Sequence, residues 1–338
     1  MPWQLPPAAE KRSIVRILCV TNMYPSPQRP GYGAFVCQQV EQLRRFGHVV
    51  DVVNILGFES KMNYLRCTLD VVRMTRAVPY DIVHAHYGYS AYPAMFRFRA
   101  PLVITLHGSD VLGGVFEGVC TRAVARFAHA VIVVSEEMRK RIQGIVIPCG
   151  VDLSVFKPYE RDEARARLRW PKSRKIVLFP FDPARREKRY DLARKSAERL
   201  VQEGVDAELK TVCNVANSEM PWCYSAADAM LLCSDREGSP TSVKEALACN
   251  LPVVATDVGD VRELFSGVAG TRICPQDVGA IACSLREVLE GSRKAFQGRL
   301  AMARYDQALT VEKIVGVYAE VLAKYESRAP RRRFPQSR

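Results

Sequence analysis

Two α/β domains in tandem, each a parallel sheet covered by helices on both faces, follow from three features of the 338-residue sequence. Short β-branched apolar runs alternate with amphipathic helical stretches along most of the chain. The runs are apolar at successive residues rather than at alternate ones. The rhythm breaks once, at PCGVDLSVFKP (148–158). Strands buried on both faces read as continuous apolar runs, and they belong to parallel sheets joined by helical crossovers. A prior of about 150 residues per domain also gives two domains.

In the first half the strands are SIVRILCV, HVVDVVNIL, DIVHAH, LVITLH, AVIVVS and GIVIP. In the second they are KIVLFPF, AELKTVC, AMLLCS and PVVATD. A helix over residues 34–46 places Phe35, Val36, Val40 and Leu43 on one face, and Gly47 stops it. The reading divides the chain into a loose leader (1–13), a Rossmann-like domain (14–157), a second Rossmann-like domain (158–308), a helix crossing back to the first domain (309–326) and a basic tail (327–338). In paired open sheets of this kind, ligands bind beyond the carboxyl ends of the strands.

Composition excludes several classes. No apolar run approaches the roughly 18 residues that a membrane span needs. The start, MPWQLPPAAEKRS, has no apolar core of a signal peptide. The 11 cysteines contain no CxxC pair and sit mostly in apolar segments, so they read as reduced packing residues, and no metal site is expected. No period of 20 to 50 residues repeats. The net charge is +13, and the tail after Glu326 contains five arginines and no acid. Such a tail suits an anionic membrane surface.

The stretch REGSPTSVKE holds the chemistry. AMLLCS is a strand and DREG the turn after it. Ser239 suits the helix N-cap and Pro240 the first helical position. The N–H groups of Thr241 and Ser242 then point unpaired out of the helix end, where the dipole favours an anion. Gly238 clears space for close approach. Glu245, further along the helix, suits the vicinal diol of a ribose carried by bound phosphates. Glu237 faces the group beyond the second phosphate. A nucleoside diphosphate with a further substituent satisfies all three features.

REGSPTSVKEALACNLPVVATDVGDVREL resembles the E-x7-E region of glycosyltransferase family 4, retaining enzymes of the GT-B architecture. YPSPQRPGYGAFVCQQVEQLRRFGH resembles the family's glycine loop and first helix. DIVHAHYG and ITLHGSD resemble its histidine-bearing strand ends, and VIVVSEEMRKRI and VIPCGVDLSVFKP the approach to the interdomain linker. The GYGAFV loop and HGSD lean toward enzymes that build cell-envelope polysaccharides, such as the teichuronic-acid type.

The resemblance assigns roles by position. Glu245 holds the ribose, Glu237 and His107 contact the donor sugar, and Thr241 and Ser242 give N–H groups to the diphosphate. The family's basic pair maps to Lys188 and, since Pro183 stands where its arginine is expected, to Arg185 or Arg186. Such cations stabilise the leaving diphosphate. Gly31, Tyr32 and Gly33 bring backbone to a ligand. His84 and His86 share one strand face, as a buried pair or as part of the acceptor side. Cys149 replaces the family's usual asparagine. The resemblance implies retention of anomeric configuration without a metal or other cofactor.

The expectation is a hexosyltransferase that takes a nucleotide-sugar donor and a glycan or lipid-linked acceptor, at the cytoplasmic face of the membrane. A nucleotide-sugar epimerase shares the architecture and would need no acceptor. A nucleic-acid binder matches the charge, but no RRM, KH or helix-turn-helix signature occurs.

Overall fold

The computed structural model describes residues 14–291 and 296–328. The leader and residues 329–338 of the expected tail lie outside the described residues. Ser327 and Arg328 belong to the last helix, Gln307–Arg328, which is longer at both ends than the sequence pattern gives.

The first sheet contains β1 (Arg16–Thr21), β2 (Val49–Asn54), β3 (Ile82–His86), β4 (Leu102–Leu106), β5 (Ala130–Val133) and β6 (Ile145–Val146). The second contains β7 (Lys175–Phe179), β8 (Ala207–Thr211), β9 (Ala229–Leu232), β10 (Val253–Ala255) and β11 (Arg272–Ile273). Their orders are β2-β1-β3-β4-β5-β6 and β11-β10-β9-β7-β8, with parallel pairings throughout. These are two Rossmann-like α/β domains. The edge strand β11 is absent from the sequence reading because two residues have no periodicity to detect. In each sheet the chain reverses its direction of travel beside the first strand, between β1 and β3 and between β7 and β9. Those reversals open the crevices in which such sheets bind ligands.

Alternate residues of the first sheet feed two cores. Leu18, Val20, Val83, Ala85 and Ile104 pack with Val71 of the Met62–Ala77 helix. Ile17, Cys19, Ile82 and Val103 pack on the other face with Val36 and Val40 of the Ala34–Arg45 helix. The last helix joins this second core through Val311, Ile314, Val317, Tyr318 and Val321. Burying each such side chain contributes about 1.5–3 kcal/mol, which fastens the chain's end to its beginning.

The chain crosses between domains twice, and the crossings are paired. The Val151 N–H donates to the Tyr305 carbonyl and the Gln307 N–H to the Val151 carbonyl, each at 2.9 Å. A side chain on Gly150 would meet Gln307 Oε1 at 2.6 Å.

Candidate active site in the interdomain cleft

A cleft of about 350 Å³ lies between the two domains, lined by the segments after β1, β4, β7, β8 and β9 and by the helix Thr241–Ala248. Its lining includes most of the residues singled out from the sequence: Gly31, Tyr32, Gly33, His107, Arg185, Lys188, Glu237, Gly238, Ser239, Pro240, Thr241, Ser242 and Glu245. His84, His86 and Arg186 are not among the lining residues.

On the second-domain side, β9 ends at Leu232 and the chain turns into the Thr241–Ala248 helix. The N-cap is Pro240, not Ser239, and no side chain caps it. The Ser239 hydroxyl donates instead to Asp260 Oδ2 at 2.7 Å. The hydroxyl oxygen accepts from the buried Lys244 ammonium, so the acceptor that a cap would use is already engaged. The helix end therefore has no side chain of its own occupying it, which suits an external anion.

Glu245 is buried, and its Oε2 accepts from the Tyr224 hydroxyl at 2.8 Å. Burial raises its pKa to about 7, the Tyr224 bond lowering it only in part. Glu237 accepts from Ser234 Oγ at 2.7 Å and from the Lys188 ammonium. Lys188 is only 5% exposed, with its ammonium 4.3 Å from the centre of the Phe181 ring. Burial pulls its pKa down, and Glu237 opposes that shift. The exposed Arg185 lines the cleft mouth while donating to Glu187 Oε1 at 2.8 Å. Of the two arginines left open by the sequence, the cleft takes Arg185.

On the first-domain side, Gly33 adopts φ 68° at the N-terminus of the Ala34–Arg45 helix. A Cβ there would fall 2.1 Å from the Met23 carbonyl carbon, so only glycine fits. Phe35 is only partly buried: it packs against the core that takes Val36, Val40 and Leu43 and also lines the cleft, its ring centre 4.8 Å from that of His107; Gln39 is a further buried residue of this helix.

His107 follows β4. The Asp110 carboxylate accepts from the main-chain N–H of His107 (3.1 Å), Gly108 (2.8 Å) and Gly88 (3.2 Å) and so fixes the turn. Burial raises the Asp110 pKa to about 6 despite these bonds. Behind His107 stands a stack of imidazoles. His107 Nε2 lies 3.1 Å from His86 Nδ1, and His86 Nε2 lies 3.3 Å from Gln39 Nε2. His84 is held by Tyr318 (2.6 Å) and Thr105 (2.7 Å). Burial holds all three below the usual imidazole range, His86 at about 3. The structure thus takes the buried-pair alternative for His84 and His86. His107 keeps its Nδ1 edge at the cleft, 3.9 Å from Cys149 Sγ.

The domains meet backbone to backbone. A Cβ on Gly108 (φ 128°) would lie 2.8 Å from Gly238 N, and one on Gly238 would lie 2.3 Å from the His107 carbonyl. Gly238 thus makes room for the opposing domain as well as for a ligand. At the other end of the cleft Asn214 Nδ2 donates to the Gln28 carbonyl at 3.2 Å, and Gly31 lies against Val215. Asn214, Tyr224, Lys244 and Asp260 were not singled out from the sequence. Only the VKE and VGD triplets beside the motif could have pointed to the last two. Among the described residues no group of three or more His, Cys, Asp or Glu could hold a metal ion.

Two facing Rossmann-like domains with such a cleft between them are the GT-B architecture. The sequence model of Glycosyltransferase Family 4 matches residues 15–155, and that of Glycosyl transferases group 1 matches residues 185–291. The chain thus resembles glycosyltransferase family 4 in its first domain and the group 1 glycosyltransferases in its second. It is 29% identical to the putative teichuronic acid biosynthesis glycosyltransferase TuaC of Bacillus subtilis, over 79% of this chain and 87% of that protein. It is 27% identical to the D-inositol 3-phosphate glycosyltransferase of Mycolicibacterium smegmatis, over 75% and 70%. Among solved structures, sucrose-phosphate synthase from Thermosynechococcus elongatus superimposes with a TM-score of 0.74 at 19% identity, covering 92% of this chain and 100% of that one. Anabaena HepE in complex with UDP and glucose gives 0.68 at 18% identity, covering 90% and 100%.

Proposed function

We propose that this glycosyltransferase moves a hexose from a nucleoside diphosphate sugar to a glycan or lipid-linked acceptor in envelope polysaccharide synthesis, with retention of configuration and without a metal. The observation that carries the reading is the pairing of the uncapped helix end at Thr241 with the buried Glu245 further along the same helix. One suits a diphosphate and the other a ribose diol. The UDP and glucose in the HepE complex and the teichuronic acid pathway named for TuaC support the donor class and the acceptor class.

In the proposed reaction the bond from the anomeric carbon to the diphosphate oxygen breaks. Negative charge grows on the leaving diphosphate, where the N–H groups of Thr241 and Ser242, with Lys188 and Arg185, stabilise it. The acceptor hydroxyl attacks the face that the diphosphate leaves, and its proton passes to a diphosphate oxygen. Glu237 and His107 hold the sugar. No residue is asked to act as a covalent nucleophile.

A lipid-linked acceptor suits the outer face of the Met62–Ala77 helix. It exposes Met62, Leu65 and Leu69 beside Arg66, Arg73 and Arg76, a pattern that suits an anionic membrane interface. No described helix is long and apolar enough to cross a membrane. The proposed place of action is the cytoplasmic face of that membrane, with the basic segment 327–338 as a second contact. Deleting 327–338 should weaken binding to anionic vesicles, with soluble-acceptor turnover unchanged; equal binding removes the segment from the proposal.

A thermal-shift screen of UDP, GDP, ADP and their sugars tests the donor class. A ligand at 100 times its dissociation constant stabilises by roughly 2.7 kcal/mol. No shift with any of the three nucleotides defeats the reading.

A further inference from the structure

Lys244 stands on the same helix, between Glu237 and Glu245 in sequence, yet it is fully buried and is not among the residues lining the cleft. A buried ammonium persists only with counter-charge and acceptors around it. Its Nζ reaches Asp260 Oδ2 at 3.0 Å, the Ser239 hydroxyl, and the main-chain carbonyl of Cys149 at 2.9 Å. The Tyr305 ring centre lies 5.1 Å away.

These partners come from different parts of the molecule. Ser239 and Asp260 belong to the second domain. Cys149 lies on the outgoing crossing between domains and Tyr305 on the returning one. The two crossings are bonded through Val151, Tyr305 and Gln307. Cys149 also places its thiol 3.9 Å from His107 Nδ1. One buried ammonium therefore links the helix that presents Thr241 to the interdomain crossing, and through Cys149 to the histidine across the cleft.

We propose that Lys244 is a positioning residue that couples nucleoside diphosphate binding at the helix end to closure of the cleft on His107. The proposal rests on the glycosyltransferase reading above. Lys244 addresses the relation between domains and touches no ligand, so its loss should cost turnover more than nucleotide affinity, which falls only by the modest coupling between the two. A displacement of this kind costs about 10- to 100-fold in rate when groups on opposite sides of a cleft must meet.

The test pairs Lys244→Met with Asp260→Asn, so that no uncompensated carboxylate remains buried. The probe is UDP, GDP or ADP, whichever the thermal-shift screen selects. The double variant should bind it within about threefold of the wild type by calorimetry while kcat falls about 10- to 100-fold. An unchanged kcat, or equal losses in nucleotide affinity and kcat, overturns the proposal. Should the variant not fold, hydrogen exchange on the wild type decides. The amides of Val151 and Gln307 should exchange more slowly with the nucleotide bound, and equal rates overturn the coupling. A wild type that binds no nucleotide and uses no donor overturns the underlying site reading instead.

Discussion

The two walls of the cleft use different chemistry. The first domain offers neutral polar groups: His107 backed by His86, with burial keeping the imidazoles uncharged. The second offers charge, Lys188 paired with Glu237 beside Glu245 and a helix end, with the Lys244–Asp260 pair buried behind that wall. Neutral donors and acceptors suit hydroxyl-rich sugar, and paired charges plus a dipole suit a diphosphate. Under the proposed function this division gives the nucleotide to the second domain and sets the first against the transferred sugar and its acceptor.

The strongest way to break this contrast is Lys188→Ala. A cation aimed at a leaving diphosphate contributes about 10²–10³ in rate in comparable electrostatic sites. Steady-state kcat/KM should fall by that order, and nucleotide affinity should fall with it, because the proposed role sets the ammonium against phosphate in ground and transition states alike. A loss below tenfold would place the charge stabilisation elsewhere, with Arg185 next to be tested.

The second contrast lies within one wall. Glu245→Gln removes the proposed charge-assisted partner of the ribose, so affinity for free nucleoside diphosphate should fall about 10- to 150-fold. Glu237→Gln should leave that affinity unchanged and reduce turnover of the full donor. Calorimetry with the nucleotide alone separates them. The reversed pattern would exchange the two assignments.

Much of this was legible because it rests on pattern. Continuous apolar runs gave the parallel strands, and Gly238, Pro240 and the two glutamates pointed to the helix whose start lines the cleft. What was not legible depends on which partner wins in three dimensions. RARLRW contains three arginines, and nothing in it singles out Arg165, whose buried guanidinium bonds Asp228 at 2.6 Å. Ser239 has a capping residue's chemistry, yet Asp260, 21 positions away, takes its hydroxyl. Phe35 fits the apolar face of its helix by spacing, and it packs on that core while also lining the cleft, which spacing does not reveal.

A third prediction sharpens the neutral wall. His107→Ala should lower turnover by about 10- to 100-fold and leave nucleotide affinity within error, as the proposed sugar contact requires. His84→Gln is the control, because His84 bonds only Thr105 and Tyr318 and touches no cleft. It should move thermal stability and leave kcat near wild type. Equal kinetic damage from both would mean that the imidazole stack acts as one structural unit.

The smallest effect expected is a pH dependence, and it distinguishes the walls without removing a side chain. The Glu245 carboxyl, with its pKa raised to about 7 by burial, is mostly protonated at pH 6 and mostly ionised at pH 8. A ribose diol donates its hydrogen bonds best to the ionised form, so the nucleotide binds the state favoured at higher pH. Affinity should therefore rise with pH, by about tenfold between pH 6 and 8 for one proton released on binding. The imidazoles of the other wall contribute nothing in this window, because they stay neutral throughout it. The nucleotide's own phosphate titration is common to wild type and Glu245→Gln, so the difference between their pH profiles isolates Glu245. Calorimetry at pH 6, 7 and 8 should give a slope that flattens in Glu245→Gln. Parallel profiles for the two proteins would mean that the ribose does not engage this carboxylate, and the diol site would have to be sought along Val212–Asn217 instead.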